Sequence, residues 1–479
     1  MRNPIHPFCI TFVSMIALQL TARSLPESVE YIVENVNILS MRHEEVEPEK
    51  ALAIQDGRIV AILDTLDANP IEANTRIDGG GRFLMPGLAD MHVHVRWNPE
   101  QMFKLFLAHG VTTVANMRLA DGEGSIDHLQ LRASIATGEL AGPRYLVSGH
   151  QLNADLPASI EAVEAVLDEH VSKGLDFVKI HGNLEPEVFD AILAGARERG
   201  LRVVGHAQHH LPLAKSLEMN ALEHMEEFLY ATLNPEENNV SNLDPLARYR
   251  ANVDRLRDPS YRAVLTRTVA ESGIYLDPTL IVYQNLSQWV SDEALEALAK
   301  DPCMAYLPHR VKQRWLSAES NPYQEEEFPL TADEIQQNLA LLLQLTNQLH
   351  RQGVPLLLGT DSFGSMVPGH SLHAELALLV QAGLSPYEAL RAGTVTVSEY
   401  LGESEFSGCI EEGYRADFIL LDANPLIDIE NAKTVSGVFT QGRWYSRSDI
   451  KSMLASVRQE NASPCNSADM AWTEIPCMH

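Results

Sequence analysis

Eight short apolar, strand-like runs alternate with helical patterns through the middle of this chain, and five of them end on residues able to bind a metal. The runs cover 88–94, 111–115, 144–148, 176–180, 202–206, 221–224, 274–278 and 354–360, with helical stretches such as 99–109, 159–173 and 186–200 between them. Strand and helix in strict alternation mark βαβ units, and eight such units predict an α/β chain folded as a TIM (β/α)8 barrel. Reactive groups of that barrel sit at the C-terminal ends of its strands. His92 and His94 end run one, Lys179 lies in run four, His206 and His224 end runs five and six, and Asp361 follows run eight. Six ligand-type residues at one end of a barrel predict a metal centre.

The flanks have a different texture. Residues 31–83 and 408–445 alternate apolar and polar over short stretches, the pattern of half-buried β-structure. We expect one small β-sandwich assembled from both ends, over 23–87 and 405–447, a barrel over 88–404 and a tail over 448–479 that begins as a helix. The connections at 225–272 and 281–350 are long, polar and helix-prone; loops of that kind over a barrel mouth shape the substrate site.

Charge and termini exclude some functions. Lys and Arg total 36 against 65 Asp and Glu, a net charge of -29, which argues against nucleic acids and anionic membranes because both require a basic face. Residues 1–22 carry one Arg, an apolar stretch and then small residues, the layout of a secretory signal, so the mature chain is expected outside the cytoplasm. Four cysteines then remain, Cys303, Cys409, Cys465 and Cys477, in no zinc-binding spacing, and Cys465 with Cys477 is the most local pair. The partner expected is a small molecule, and a homo-oligomer is compatible with such a chain.

Histidines two apart on a strand point to one face, so His92 and His94 can chelate one ion. Lys179 ends an otherwise apolar strand, where an ammonium would repel metal ions. Burial favours the uncharged amine, which can react with carbon dioxide to form an anionic carbamate. Asp361 can bind an ion, accept a proton, or cap the helix that follows.

The blocks FLMPGLADMHVH, HGVTTVANM, LLLGTDS, AGLSPYEALRAGT and GYRADFILLDANPL resemble, in order, those of the amidohydrolase superfamily, nearest to its imidazolonepropionase-like and Xaa-Pro dipeptidase branch. The resemblance runs from about Tyr31 to Tyr445. It implies two divalent ions, zinc by preference. His92 and His94 would hold the more buried ion, His206 and His224 the second, and a carbamate on Lys179 would bridge them. Asp361 would bind the first ion and shuttle the proton while a metal-bridged hydroxide attacks an amide carbonyl. A dipeptide or N-acyl amino acid is the expected substrate. Two other readings are a mononuclear relative that opens a cyclic amide or deaminates a ring, and a barrel that binds without catalysis. His150, Arg118, Tyr230 and Tyr283 are the expected substrate contacts, and His209 and His210 are expected outside the ligand set.

Overall fold

The computed structural model describes residues 27–119, 125–157, 159–235, 244–324 and 328–462. The segment expected to direct export, and Cys465 with Cys477, lie outside the described residues; Cys303 and Cys409 are free thiols. No helix among the described residues is long and apolar enough to cross a membrane.

Strands β1 (Ser28–Leu39), β2 (Val46–Gln55), β3 (Arg58–Asp64) and β4 (Glu72–Pro86) open the chain. The barrel strands follow: β5 (Leu88–Val93), β6 (Val111–Asn116), β7 (Arg144–Leu152), β8 (Phe177–Ile180), β9 (Arg202–Gly205), β10 (Ala221–Glu223) and β11 (Tyr275–Asp277). Strands β12 (Phe418–Leu421), β13 (Val435–Thr440) and β14 (Arg443–Ser446) close it. The two chain ends share one seven-stranded mixed sheet, ordered β14-β13-β12-β4-β1-β2-β3, in which β1 and β4 run parallel. Bulges in β1 near Val36 bend the sheet. It buries one apolar cluster around Ile38, Ile54, Phe418 and Phe439, and another around Ile32, Ala53 and Ile71.

β5 to β11 form a second, wholly parallel sheet in chain order. Every residue of β5 and β8 is buried, because a parallel strand is covered on both faces, and the polar Asp90, His92 and Lys179 are buried with their apolar neighbours. The eighth strand expected at 354–360 is reduced to two isolated bridges, Leu276 with Leu356 and Val93 with Ser362. It still closes the ring. Leu357 N donates to Leu276 O at 2.7 Å, and on the other side Met91 N donates to Leu358 O at 2.8 Å. The long connections fold as helices Pro245–Arg257, Pro259–Ser272, Leu280–Trp289 and Ala332–Arg351, of which the first and third contribute residues to the cavity at the mouth. Helix Ala332–Arg351 starts at a reciprocal cap between Thr331 and Glu334 and buries Ile335, Leu342, Leu345 and Leu349 at helical spacing. The tail helix, Arg447–Glu460, is held to the barrel by Gln101, whose Nε2 donates to Glu460 Oε2 at 2.6 Å.

Gly205 shows how tightly the staves approach. Its φ is 144°, and a Cβ there would lie 1.9 Å from Ile180 O on the neighbouring strand. Gly205→Ala should therefore destabilise the barrel by roughly 3 kcal/mol or more, read as a lower denaturant midpoint, because neither backbone can yield. An unshifted midpoint would show that the two strands part without cost.

Candidate metal centre

The ends of the staves bring the predicted ligands together. His94 Nε2 lies 2.9 Å from Asp361 Oδ1, and His92 Nε2 lies 3.5 Å from the same oxygen. The His92 ring centroid is 4.7 Å from that of His224, which is 4.7 Å from that of His206. Lys179 is fully buried and makes an ion pair with Glu223. Two groups have ligand atoms within 4.8 Å of one another, His92 with His94 and Asp361, and His92 with Glu223 and His224.

Backbone strain gathers here. Eight described non-glycine residues have positive φ, and His224 (66°), Thr279 (42°) and Asp361 (47°) are three of them. Residues in that region cost energy unless the surrounding structure enforces them, and they concentrate at functional sites. At His224 the effect is specific. Glu223 and His224 are adjacent and would point to opposite faces of a regular strand. The left-handed turn at His224 breaks the alternation and turns both toward His92. Glu223 was invisible to the sequence reading for that reason.

Asp361 is set in place by the closure of the barrel. Its N–H donates to His92 O at 2.7 Å. One residue earlier, Thr360 donates from N (3.0 Å) and Oγ1 (2.7 Å) to the two oxygens of Asp90. Burial pushes Asp90 up to about 7, with these bonds opposing. Asp361 does not cap a helix, since the next one, His370–Ala382, begins nine residues later behind Gly369.

The histidines are oriented from behind. His206 Nδ1 meets Glu227 Oε1 at 3.0 Å, and His209 Nε2 meets Glu227 Oε2 at 2.7 Å. Burial alone would raise Glu227, but His209 and His206 outweigh it and hold it well below the usual carboxylate range. His224 Nδ1 lies 2.8 Å from Thr279 Oγ1. Sequence spacing gave no signal for Glu227 or Thr279, which approach only through the fold.

A cavity of about 260 Å³ opens above the centre. Of the expected substrate contacts, Tyr230 and Tyr283 line it, together with His181 and Gln151. The Tyr283 hydroxyl is already engaged, 2.5 Å from that of Tyr249. Arg118 and His150 are not among the lining residues. β7 extends four residues past its expected end at 148, so His150 lies within the strand rather than after it. The lining arginine is Arg96, two residues beyond His94.

The donors suit a divalent ion. Both ring nitrogens of His92, and Glu223 Oε1, are buried without a hydrogen-bond partner. They lie close to one another, with His92 Nδ1 3.2 Å from Glu223 Oε1, and converge on shared space. Desolvation, and after it Lys179, holds His92 well below the ordinary histidine range; desolvation, then Arg96, does so for His94. Both rings are therefore neutral at pH 7, the form that binds metals. Imidazole nitrogens with carboxylate oxygens fit zinc and neighbouring transition ions.

The sequence profile of the amidohydrolase family matches residues 83–445. An adenine deaminase of Nitratidesulfovibrio vulgaris is 30% identical over 203 residues, 37% of this chain and 32% of the relative. The ochratoxinase of Aspergillus niger is 35% identical over 100 residues, 20% of each chain. These matches span about a third or less of the relatives' length. A solved Xaa-Pro dipeptidase with methionine bound in its active site superposes with a TM-score of 0.59 at 18% identity, over 87% of this chain and 99% of that one.

Groups that hold a ligand histidine from behind commonly contribute 10- to 100-fold to metal affinity. Glu227→Gln keeps the shape but removes the charge that orients His206 and His209. It should weaken zinc binding by about that factor in a chelator competition. Unchanged affinity would mean that His206 needs no such support.

Proposed function

The chain belongs to the amidohydrolase family, and on that footing we propose that it is a metal-dependent hydrolase of an amide C–N bond in a small substrate, such as a dipeptide or N-acyl amino acid. The observation that carries this reading is the convergence of the buried His92 ring nitrogens and Glu223 Oε1, none with a hydrogen-bond partner, beside His94, His224 and Asp361, which line the cavity.

His92, His94 and Asp361 would hold one divalent ion, and His206, His224 and Lys179 as a carbamate the second. Ions bound there supply an activated water at neutral pH and polarise the scissile carbonyl. The remaining work belongs to the chain. Asp361 presents Oδ1 to the cavity floor, where it takes the proton of the attacking water and returns it to the departing nitrogen. His92 and His94, neutral through burial, flank that carboxylate, and the bond from Asp361 N–H to His92 O fixes its backbone. Helices Pro245–Arg257 and Leu280–Trp289 line the cavity above the reacting carbonyl.

The Lys179–Glu223 ion pair favours a second reading. With Lys179 unmodified, its charge is matched by Glu223 and one ion at His92 suffices. That state is the mononuclear hydrolase or deaminase of the same family.

Metal analysis of the purified protein separates the two, with two ions per chain expected and one favouring the alternative. Lys179→Ala should lose the second ion and nearly all turnover. Asp361→Asn should keep its metal while kcat falls by about 10²- to 10⁴-fold, the usual contribution of a general base. Full occupancy with near-normal kcat in Asp361→Asn would assign the proton to another group. Failure to bind any metal would remove the proposal.

A further inference from the structure

The cavity walls divide sharply in character. One side is aromatic and apolar, formed by Leu286, Trp289, Tyr323, Phe328 and Phe363. Its polar atoms are spent within the protein. Trp289 Nε1 donates to Ser365 Oγ at 2.8 Å, and Trp289 stacks on Tyr323 with centroids 5.5 Å apart and planes at 15°. Tyr249 and Tyr283, deeper in the wall, bond to each other, and Asn338 Nδ2 donates to the Tyr249 hydroxyl at 2.6 Å. What this wall offers a ligand is ring faces and hydrocarbon.

Among the described residues, the Lys and Arg side chains that line the cavity are Lys179 and Arg96. Lys179 is matched by Glu223. Arg96 is not matched: among the described residues it has no ion pair, and its Nε is buried without an acceptor. A guanidinium cannot shed its charge, and leaving one half-buried with a donor unmet is unfavourable unless an anion completes it. Its planar fork fits a carboxylate through two parallel hydrogen bonds. Arg96 follows His94 by two residues, so an anion held there lies beside the catalytic floor.

We propose that Arg96 is the specificity residue of this site. It holds a carboxylate next to the scissile amide while the aromatic wall takes a large apolar side chain, which makes the substrates N-acyl or N-aminoacyl derivatives of bulky apolar amino acids. This rests on the hydrolase reading for the reaction, but the binding it describes does not.

The test uses the full chain and two ligands of matched shape, N-acetyl-L-phenylalanine and N-acetylphenethylamine, which lacks only the carboxylate. Calorimetry on the metal-free protein comes first, so that no ion can hold the carboxylate instead. The acid should bind about 100-fold tighter than the neutral compound, the scale of a charge-assisted bidentate contact. Arg96→Met should bring that ratio to about one, and Arg96→Lys, which keeps charge but not the fork, should restore part of it. N-Acetylglycine, which keeps the carboxylate and lacks the ring, should bind at least about tenfold more weakly than the phenylalanine derivative. In the metal-loaded protein the same ratios should appear in kcat/KM. Equal binding of acid and neutral ligand, or a preference that survives in Arg96→Met, overturns the anchor; equal binding of N-acetylglycine overturns the aromatic part. Arg96-dependent binding without hydrolysis of any amide upholds the anchor and overturns the hydrolase reading alone.

Discussion

The centre depends on how the barrel closes. Seven staves hydrogen-bond as regular strands, whereas the eighth is held by isolated bridges and a few backbone bonds. A weak ladder would leave Asp361 loosely placed. Asp90 compensates by taking both the amide and the hydroxyl of Thr360. The Asp277 carboxyl packs closely against the backbone of Gly359 on the same segment. A Cβ at 359 would lie 2.4 Å from Asp277 Oδ2, so the glycine permits that approach. One buried carboxyl group, Asp90, thus braces the stave whose own hydrogen bonding is incomplete, and the Asp361–His94 contact follows.

A second chain of support reaches the centre through Glu375. Burial pushes its carboxyl up to about 8, yet it accepts from Leu280 N at 3.0 Å and Ile281 N at 2.7 Å. Those amides begin helix Leu280–Trp289, whose own cap residue, Thr279, is left-handed and makes no side-chain cap. Glu375 does the capping, which frees the Thr279 hydroxyl for His224. The energetic logic is that of a buried polar network. Each group is costly alone, and the bonds from Glu375 to the helix amides and from Thr279 to His224 offset that cost locally.

Sequence pattern revealed the staves and the groups at their ends because burial on both faces demands apolar runs, against which His92, His94, Lys179, His206, His224 and Asp361 stand out. It could not reveal Glu223, because pleat alternation hides a residue that only a left-handed neighbour turns inward. Glu227, Thr279 and Arg96 lie beyond strand ends, where no period applies. Tyr230 and Tyr283 were legible as residues of long mouth-covering segments, but whether a hydroxyl is free depends on a partner such as Tyr249, distant in sequence. His150 was misplaced because β7 continues past the point where its apolar run stops, and the expected helix cap at Asp361 failed because eight residues separate it from the helix.

The charge of the whole chain bears on how such a site works. With a net charge of -29, the long-range field repels an anion rather than steering it inward. At about 0.1 M salt that field is screened beyond roughly 10 Å, so recognition falls to groups within contact distance. An aromatic wall supplies attraction that is indifferent to charge, and one unmatched guanidinium then decides between a carboxylate and its neutral analogue. A more basic cavity would compete with the divalent ions for the same space. An arginine two residues past His94, with no ion pair among the described residues, would supply that selectivity by contact alone.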